Sequence, residues 1–403
     1  MSASILYHGF GIRGYQYERT AYEDGMVTFV ISQARDRLRC PRCGTAPVER
    51  RGEVVRTFRL VPIGSRPVQV VLGVPRVFCE RCDITRQVKV AFADEHRRYA
   101  RSFERYVLEL SRHMTIKAVA RHLQISWDTV KEIQKRDLER HYANPKLKHL
   151  TEIAIDEICV GKKRFLTIVL DLRTGAVVFV GKGRGGDALE PFWRRLRSSR
   201  AKIEAVAIDM SNAYTAAVRK NLPDAVLVYD HFHIIKLDNE KLTALRRDLQ
   251  REATEGLGKE VLKGIRWLLL KNPENLDPKK GERERLEEAL KLNESLFIAY
   301  YMKDQLRLLW SQPDKRTARQ FLNGWIQLAN YTGIRMLMNF AKTLAGHREG
   351  ILAWYDYPIS TGPLEGTNNK IKTMQRQAYG FRDREFFRLK ILAIHEATYE
   401  LVG

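Results

Sequence analysis

The chain has 403 residues, too many for one ordinary domain, and its 44% hydrophobic and 29% charged content describes a folded globular protein rather than a disordered one. Lys and Arg number 70 against 48 Asp and Glu, giving +22 and a pI near 9.8, an excess that points to a polyanion, with nucleic acid the common case. No apolar run approaches the roughly 18 residues of a membrane helix, and Met1-Ser2-Ala3-Ser4-Ile5-Leu6-Tyr7-His8-Gly9 lacks the basic start and apolar core of a signal peptide, so no membrane partner is expected.

Residues 1–95 read as a small β module. Tyr15–Tyr22 and Met26–Ser32 flank Asp24-Gly25, a hairpin-turn sequence. Val54–Val61, Pro67–Leu72 and Val74–Phe78 follow, separated by Gly64-Ser65 and Gly73. Among these strands stand Cys40-Pro41-Arg42-Cys43 and Cys79-Glu80-Arg81-Cys82. Each pair forms a knuckle presenting two thiolates, and two knuckles complete a closed tetrahedral Zn²⁺ site, structural rather than catalytic. Disulfide or redox pairing is the rival, and it suits poorly a chain without a secretion signal or a thioredoxin-like βαβ context.

Residues 96–148 read as a helix-turn-helix. An amphipathic helix over Phe103–Met114 precedes Val119, Ala120, Leu123, Ile125, Val130 and Ile133, which have the spacing of its core. Ser126 is the expected N-cap of the second helix, with Asp128 in its first turn. That helix offers Trp127, Thr129, Lys131, Gln134 and Lys135 to a groove or to phosphates. An ordinary helical hairpin is the plain alternative.

From Glu152 the period changes. Glu152–Val160, Arg164–Leu172 and Ala176–Lys182 are strands whose short links permit antiparallel pairing only. A helix over Ala188–Ser198, a strand over Ile203–Asp209, a helix over Ala213–Leu222 and a strand over Ala225–Tyr229 complete the order of a ribonuclease-H-like sheet. The first part of this core spans 149–240, and its first and fourth strands should be neighbours. Residues 241–350 are then almost wholly helical, with helices over Ile234–Ala253, Lys259–Leu270, Glu282–Trp310, Lys315–Leu328 and near Gly333–Ala345. The gap from Asp209 to Glu365 far exceeds the dozen or so residues that a crossover needs, so an all-α insertion is expected before the core resumes over 351–403. The fold class is therefore multidomain α+β.

Three acids carry the chemistry. Asp156 lies inside the apolar run Ile153–Val160, Asp209 ends Val206-Ala207-Ile208-Asp209, and Glu365 opens a helix after the loop Tyr357–Pro363. A carboxylate in a buried strand is costly unless paired or holding a metal, and oxygen-rich clusters suit Mg²⁺. An Asp after an apolar run is also a common turn residue. Glu157 competes with Asp156, because alternation alone leaves both open. Asp171, near a hairpin turn, and Asp187, a helix-cap candidate, are weaker. Asn369 and Lys372 share a helical face with Glu365, and Lys370, Arg376, Arg382 and Arg384 make that segment a phosphate-binding candidate. In Tyr229-Asp230-His231-Phe232-His233, Asp230 and His233 read as groups that orient the ligands. Cys159 reads as a buried strand residue, and Trp267, Trp310, Trp325 and Trp354 as packing anchors.

Taken together, the Cys knuckles, the helix-turn-helix, Ile155-Asp156-Glu157, Ala207-Ile208-Asp209-Met210-Ser211-Asn212-Ala213-Tyr214, Asp230-His231-Phe232-His233 and Gly362-Pro363-Leu364-Glu365-Gly366-Thr367-Asn368-Asn369-Lys370-Ile371-Lys372 resemble the DDE transposases of bacterial insertion sequences, the ISL-three group. They span nearly the whole chain in the family's order. The resemblance implies that Asp156, Asp209 and Glu365 hold two Mg²⁺ ions, for which Mn²⁺ substitutes, about 3.5–4 Å apart around a scissile phosphate. It also implies that Asp230 and His233 form a D-x-x-H element. Trp127, Thr129, Lys131, Lys135, Asn369, Lys372 and Arg376 would touch double-stranded DNA, both terminal inverted repeats and target. A homodimer or higher assembly on DNA, in the cytoplasm at the bacterial nucleoid, is expected. Two rivals remain: a zinc and helix-turn-helix regulator with an idle catalytic fold, and a ribonuclease-H-like nuclease.

Overall fold

Apolar residues at every second position build the N-terminal strands. The computed structural model describes residues 2–252, 257–291 and 293–396. These divide into two units, the first from 2–143 and Met374–Lys390, the second from Asn144–Thr373 and Ile391–Glu396.

In the first unit a short helix α1 (Ser2–His8) precedes β1 (Gln16–Glu23), β2 (Met26–Ser32), β3 (Glu49–Ile63), β4 (Arg66–Cys79) and β5 (Ile84–Gln87), in the sheet order β1-β2-β4-β3 with β5 on β4. Asp24 and Gly25 both take positive φ, 49° and 74°, as a tight primed hairpin turn demands. The strands expected over Pro67–Leu72 and Val74–Phe78 are one, because Gly73 stays in register opposite Val55. Val68, Val70, Leu72 and Val74 lie fully buried along it, with Phe58 and Leu60. No local pattern announced α1, whose Leu6 joins this core.

The helices α2 (Arg101–Leu110), α3 (Ile116–Leu123) and α4 (Trp127–Tyr142) follow. Thr115 and Ser126 cap α3 and α4, each accepting the backbone N–H three residues on at 3.1 Å. Gln124 makes the turn between them in the left-handed region. Val119, Leu123, Val130 and Ile133 are buried as expected.

The second unit is built on β6 (Glu152–Gly161), β7 (Arg164–Asp171), β8 (Val177–Lys182), β9 (Ala205–Ile208) and β10 (Val226–Tyr229), in the order β10-β9-β6-β7-β8. β6, β7 and β8 pair antiparallel, whereas β9 runs parallel to both β6 and β10. The first and fourth strands are therefore neighbours, the expected ribonuclease-H-like topology. The connecting helices α5 (Glu190–Ser199) and α6 (Asn212–Asn221) bury Phe192, Trp193, Tyr214 and Val218 in one core with Ile153, Ile155, Val206 and Ile208.

The inserted helices are α7 (His231–Glu252), α8 (Leu257–Gly264), α9 (Glu282–Lys291), α10 (Glu294–Leu306), α11 (Lys315–Tyr331), α12 (Arg335–Gly346) and α13 (Arg348–Leu352). Ala253, the expected end of the first inserted helix, lies outside the described residues, as does Leu292. The single helix expected over Glu282–Trp310 is broken, because Asn293 is extended and its side chain caps α10 by accepting the Leu296 N–H at 2.9 Å. Trp325 is a core anchor that donates to Met302 O, but Trp267 stands 65% exposed under Arg266. Last come α14 (Gly362–Gln377) and α15 (Arg384–Leu392).

Candidate active site and DNA-binding elements

The parallel register of β6 and β9 organises the acids. Ile153 pairs with Val206 and Ala154 with Ala207, so the same register carried two residues further sets Asp156 level with Asp209. Side chains alternate along a strand. Ile153, Ile155, Val206 and Ile208 face the core shared with α5 and α6, which leaves Ala154, Asp156, Ala207 and Asp209 on the opposite face. Glu157 alternates away from Asp156, and its Oε2 accepts the Tyr214 hydroxyl of α6 at 3.3 Å. The two acids that sequence left undivided therefore point to different sides of the sheet.

Asp156 is half-buried and held by two donors. The Glu157 N–H reaches its Oδ1 at 2.7 Å, and Asn368 Nδ2 reaches its Oδ2 at 2.9 Å. Burial outweighs these bonds and pushes its carboxyl up to about 6, with the charges of Asp209 and Glu157 adding to the rise and His233 opposing it. Asp209 leaves the strand end and accepts the Ser211 N–H at 3.0 Å.

A buried polar node lies beside them. Asp230 follows β10 with 1% exposure, and its Oδ2 meets His233 Nδ1 at 3.0 Å and the Thr361 hydroxyl at 2.7 Å. Burial raises the Asp230 carboxyl, but His233 and Thr361 more than offset it, and the net position is below the usual carboxylate range. His233 moves the other way: its bond to Asp230 outweighs burial and raises it. Thr361 O in turn accepts the Glu365 N–H at 2.9 Å, fixing the first turn of α14.

Along α14, Leu364, Thr367, Asn368 and Ile371 are buried, whereas Glu365, Asn369, Lys372 and Arg376 are exposed. The structure thus brings together Asp156, Asp209, Asp230 and His233, and joins them through Asn368 and Thr361 to the helix that carries Glu365. Among the described residues, however, the set of potential ligands with all donor atoms within 4.8 Å of one another is Cys40, Cys43, Cys79 and Cys82; the three acids are not drawn so close. Sequence reasoning missed Asn368 and Thr361. The apolar stripe Leu364, Ile371 and Met374 was the available signal, since it turns position 368 inward and 369 outward.

The four cysteines fit zinc. A tetrahedral Zn–S length of about 2.3 Å requires sulfurs about 3.8 Å apart, and Cys43 Sγ lies 3.7 Å from Cys79 Sγ. The Gly44 N–H to Cys40 O bond and the Cys82 N–H to Cys79 O bond close the two knuckles. Hydrogen bonding to Thr45 pulls the Cys43 thiol down, whereas the bond with Cys43 and burial push Cys82 up, so the clustered thiols hold their protons unequally. Cys159 departs from expectation, being exposed at the strand end.

On α4, Trp127 is 45% exposed and Lys131 lies 5.2 Å from its ring centroid. Thr129 is half-buried, its hydroxyl 2.8 Å from Ser126 Oγ. Gln134, offered to DNA on sequence grounds, is 1% exposed and faces the interior. Lys135 and Lys131 both reach Asp383, at 3.1 and 3.8 Å, so part of the expected phosphate-binding charge is already paired.

Comparison with known proteins adds a family. The profile of a transposase family matches residues 153–391, that of the helix-turn-helix domain of transposase family ISL3 matches 88–137, and that of the zinc-finger of transposase IS204/IS1001/IS1096/IS1165 matches 36–82. The chain is 33% identical over 392 residues to the transposase for insertion sequence element IS1001 of Bordetella parapertussis, covering 95% of this chain and 96% of that one. It is 31% identical to the transposase for insertion sequence element IS1557 of Mycobacterium tuberculosis, covering 88% and 85%. Among solved structures, the Drosophila P element transposase strand transfer complex aligns over 75% of this chain and 92% of that one, at 10% identity and a TM-score of 0.39, too distant to carry an argument.

Proposed function

The chain belongs to the ISL3 family of transposases, which implies DNA cleavage and strand transfer, and from that premise we propose that Asp156, Asp209 and Glu365 are its DDE triad. The observation that carries the reading is the Asp156–Asn368 bond: it ties the strand bearing the first acid, level with the second, to the helix bearing the third. The donor set is all carboxylate oxygen, which suits Mg²⁺ or Mn²⁺. When bound, two such ions would activate a water or a DNA 3′-hydroxyl and stabilise the leaving oxygen.

The chain's own groups supply position and charge. Asn368 and the Glu157 N–H fix the Asp156 carboxylate in one orientation. Asp230, His233 and Thr361 hold the start of α14, and so the height of Glu365, against the end of β10. Asn369, Lys372 and Arg376 offer donors to terminal phosphates from the exposed side of that helix. The zinc-bound module and α4, through Trp127, Thr129, Lys131 and Lys135, read the inverted repeats. Joining two ends calls for at least a dimer on DNA, acting at the nucleoid; no described helix is long and apolar enough to cross a membrane.

The test is end cleavage and strand transfer, on the inverted repeats flanking the gene, by wild type, Asp156→Asn, Asp209→Asn and Glu365→Gln with Mg²⁺ and with Mn²⁺. Each substitution should cost about 10²-fold or more, equivalent to ~2.7 kcal/mol in the barrier. Activity retained by all three variants would reject the triad. Cleavage of RNA hybrids in preference to repeat ends would favour a nuclease instead.

A further inference from the structure

Five cations converge at one end of the catalytic sheet. Lys162, Lys163 and Arg164 form the turn between β6 and β7, while Lys182 and Arg184 flank the end of β8. The Leu166–Lys182 pairing and the Gly183 N–H to Phe165 O bond at 2.9 Å bring the two segments side by side. None of the five forms an ion pair with another described residue. Lys163, Phe165, Gly183 and Arg184 line an open cleft of about 610 Å³. The Arg184 guanidinium carbon lies over the Phe165 ring, 4.9 Å from its centroid, within cation–π reach. Gly183 takes φ +97° and a Cβ there would meet nothing within 4 Å, so the backbone at the cleft lip is open to close approach.

The cleft therefore combines unpaired charge with an aromatic ring and an arginine set over it, and the two features select different parts of a nucleotide. Unpaired Lys and Arg take phosphate, whereas an Arg stacked on an aromatic ring presents a flat face for a base. A duplex keeps its bases stacked inside and has no use for that face. The geometry points to a binding site for an unpaired DNA strand, with a base on the Arg184–Phe165 pair and its phosphate on Lys163. The site lies apart from the triad: Phe165 and Thr167 alternate onto the side of β7 where Thr167 meets Tyr214, opposite the Asp156 face. Such a strand is what cleavage of a duplex end can release. The inference rests on the chain acting on DNA, but not on the identity of the metal ligands.

Fluorescence anisotropy of the full chain without divalent metal, with oligo-dT and a blunt random-sequence duplex as probes, tests it. Phe165→Ala should weaken oligo-dT binding about 5- to 100-fold while changing duplex binding by less than about twofold, and Phe165→Trp should restore it. Lys163→Gln and Arg184→Gln should each reduce the salt dependence of oligo-dT binding by about 0.7 in the log–log slope. Unchanged oligo-dT affinity in Phe165→Ala and Arg184→Gln would overturn the site, as would equal losses on both probes. Because the assay contains no metal, failure of the triad leaves its outcome untouched, and wild-type chain that binds neither probe would reject the DNA reading itself.

Discussion

The hydroxyl of Thr361 donates to Asp230 Oδ2 at 2.7 Å although the two residues are 131 positions apart. Both are 1% exposed, and His233 completes the node. A buried carboxylate is tolerated only when its lone pairs are met, so the end of β10 and the start of α14 are bound by a shared requirement. The segment inserted between them must therefore return both its ends to this point, and it packs on the same core as the sheet.

Thr361→Val removes the hydroxyl and keeps the shape. The loss of a hydrogen bond to a charged group should cost about 1.5–3 kcal/mol of stability, read by denaturant unfolding. End cleavage should fall more than end binding, because the first turn of α14 loses its anchor. Thr361→Ser should recover both; equal stability of wild type and Thr361→Val would remove the node from the account.

The same node predicts a pH dependence. His233 is raised, so its contribution is complete below its unfolded value, about 6.5, and is lost as pH rises through the higher folded value. Asp230 is lowered, so its contribution is complete above about 3.9 and is lost as pH falls through the lower folded value. The full effect lies between these limits. The Tm difference between wild type and His233→Gln should be largest near about pH 5.5 and shrink toward about pH 9. A difference that is flat over that range counts against the assignment.

How much of this was legible differs by residue. The strand order followed from short turns and the switch to alternating helices, because local links limit which strands pair. Asp156 and Glu157 were indistinguishable because β6 is buried on both faces, and a strand of that kind has no polar side to mark orientation. Asn368 was legible in principle from the stripe on its helix, but its partner 212 residues away was not. The Lys135–Asp383 pair spans 248 residues, and nothing local announces it.

Asp383 carries a prediction of its own. It caps α15 by accepting the Phe386 N–H at 3.0 Å, and it also meets Lys131 and Lys135 of α4. Burial would raise its carboxyl, yet the Phe386 N–H and Lys135 outweigh burial and hold it below the usual range. Asp383→Asn keeps a capping oxygen while deleting the charge. Duplex binding should tighten, and its log–log salt slope should steepen by about 1–2 as the lysines turn to phosphate. An unaltered slope would mean that neither lysine reaches DNA.

The zinc site predicts a local failure. Chelation, or Cys79→Ser, should release about one zinc per chain and unfold the knuckles, since structural zinc contributes folding energy outright. Tm should fall and repeat binding should drop, with a chromogenic chelator counting the metal. Full thermal stability after complete zinc removal would refute a structural role.

Asn368 gives the sharpest test of the proposed centre. Its Nδ2 donates to Asp156, while its own Oδ1, buried, has no hydrogen-bond partner among the described residues. Asn368→Ala frees the Asp156 carboxylate to rotate, and a ligand that has lost its orienting partner typically costs about 10- to 100-fold in metal affinity or activity. Half-saturation of end cleavage by Mg²⁺ should therefore rise by that factor, and excess Mg²⁺ should recover much of the rate. A variant that merely loosened the fold would instead lose rate at every Mg²⁺ concentration and bind repeats more weakly. An unchanged Mg²⁺ requirement would separate Asn368 from the metal site and leave the bond a packing feature of α14.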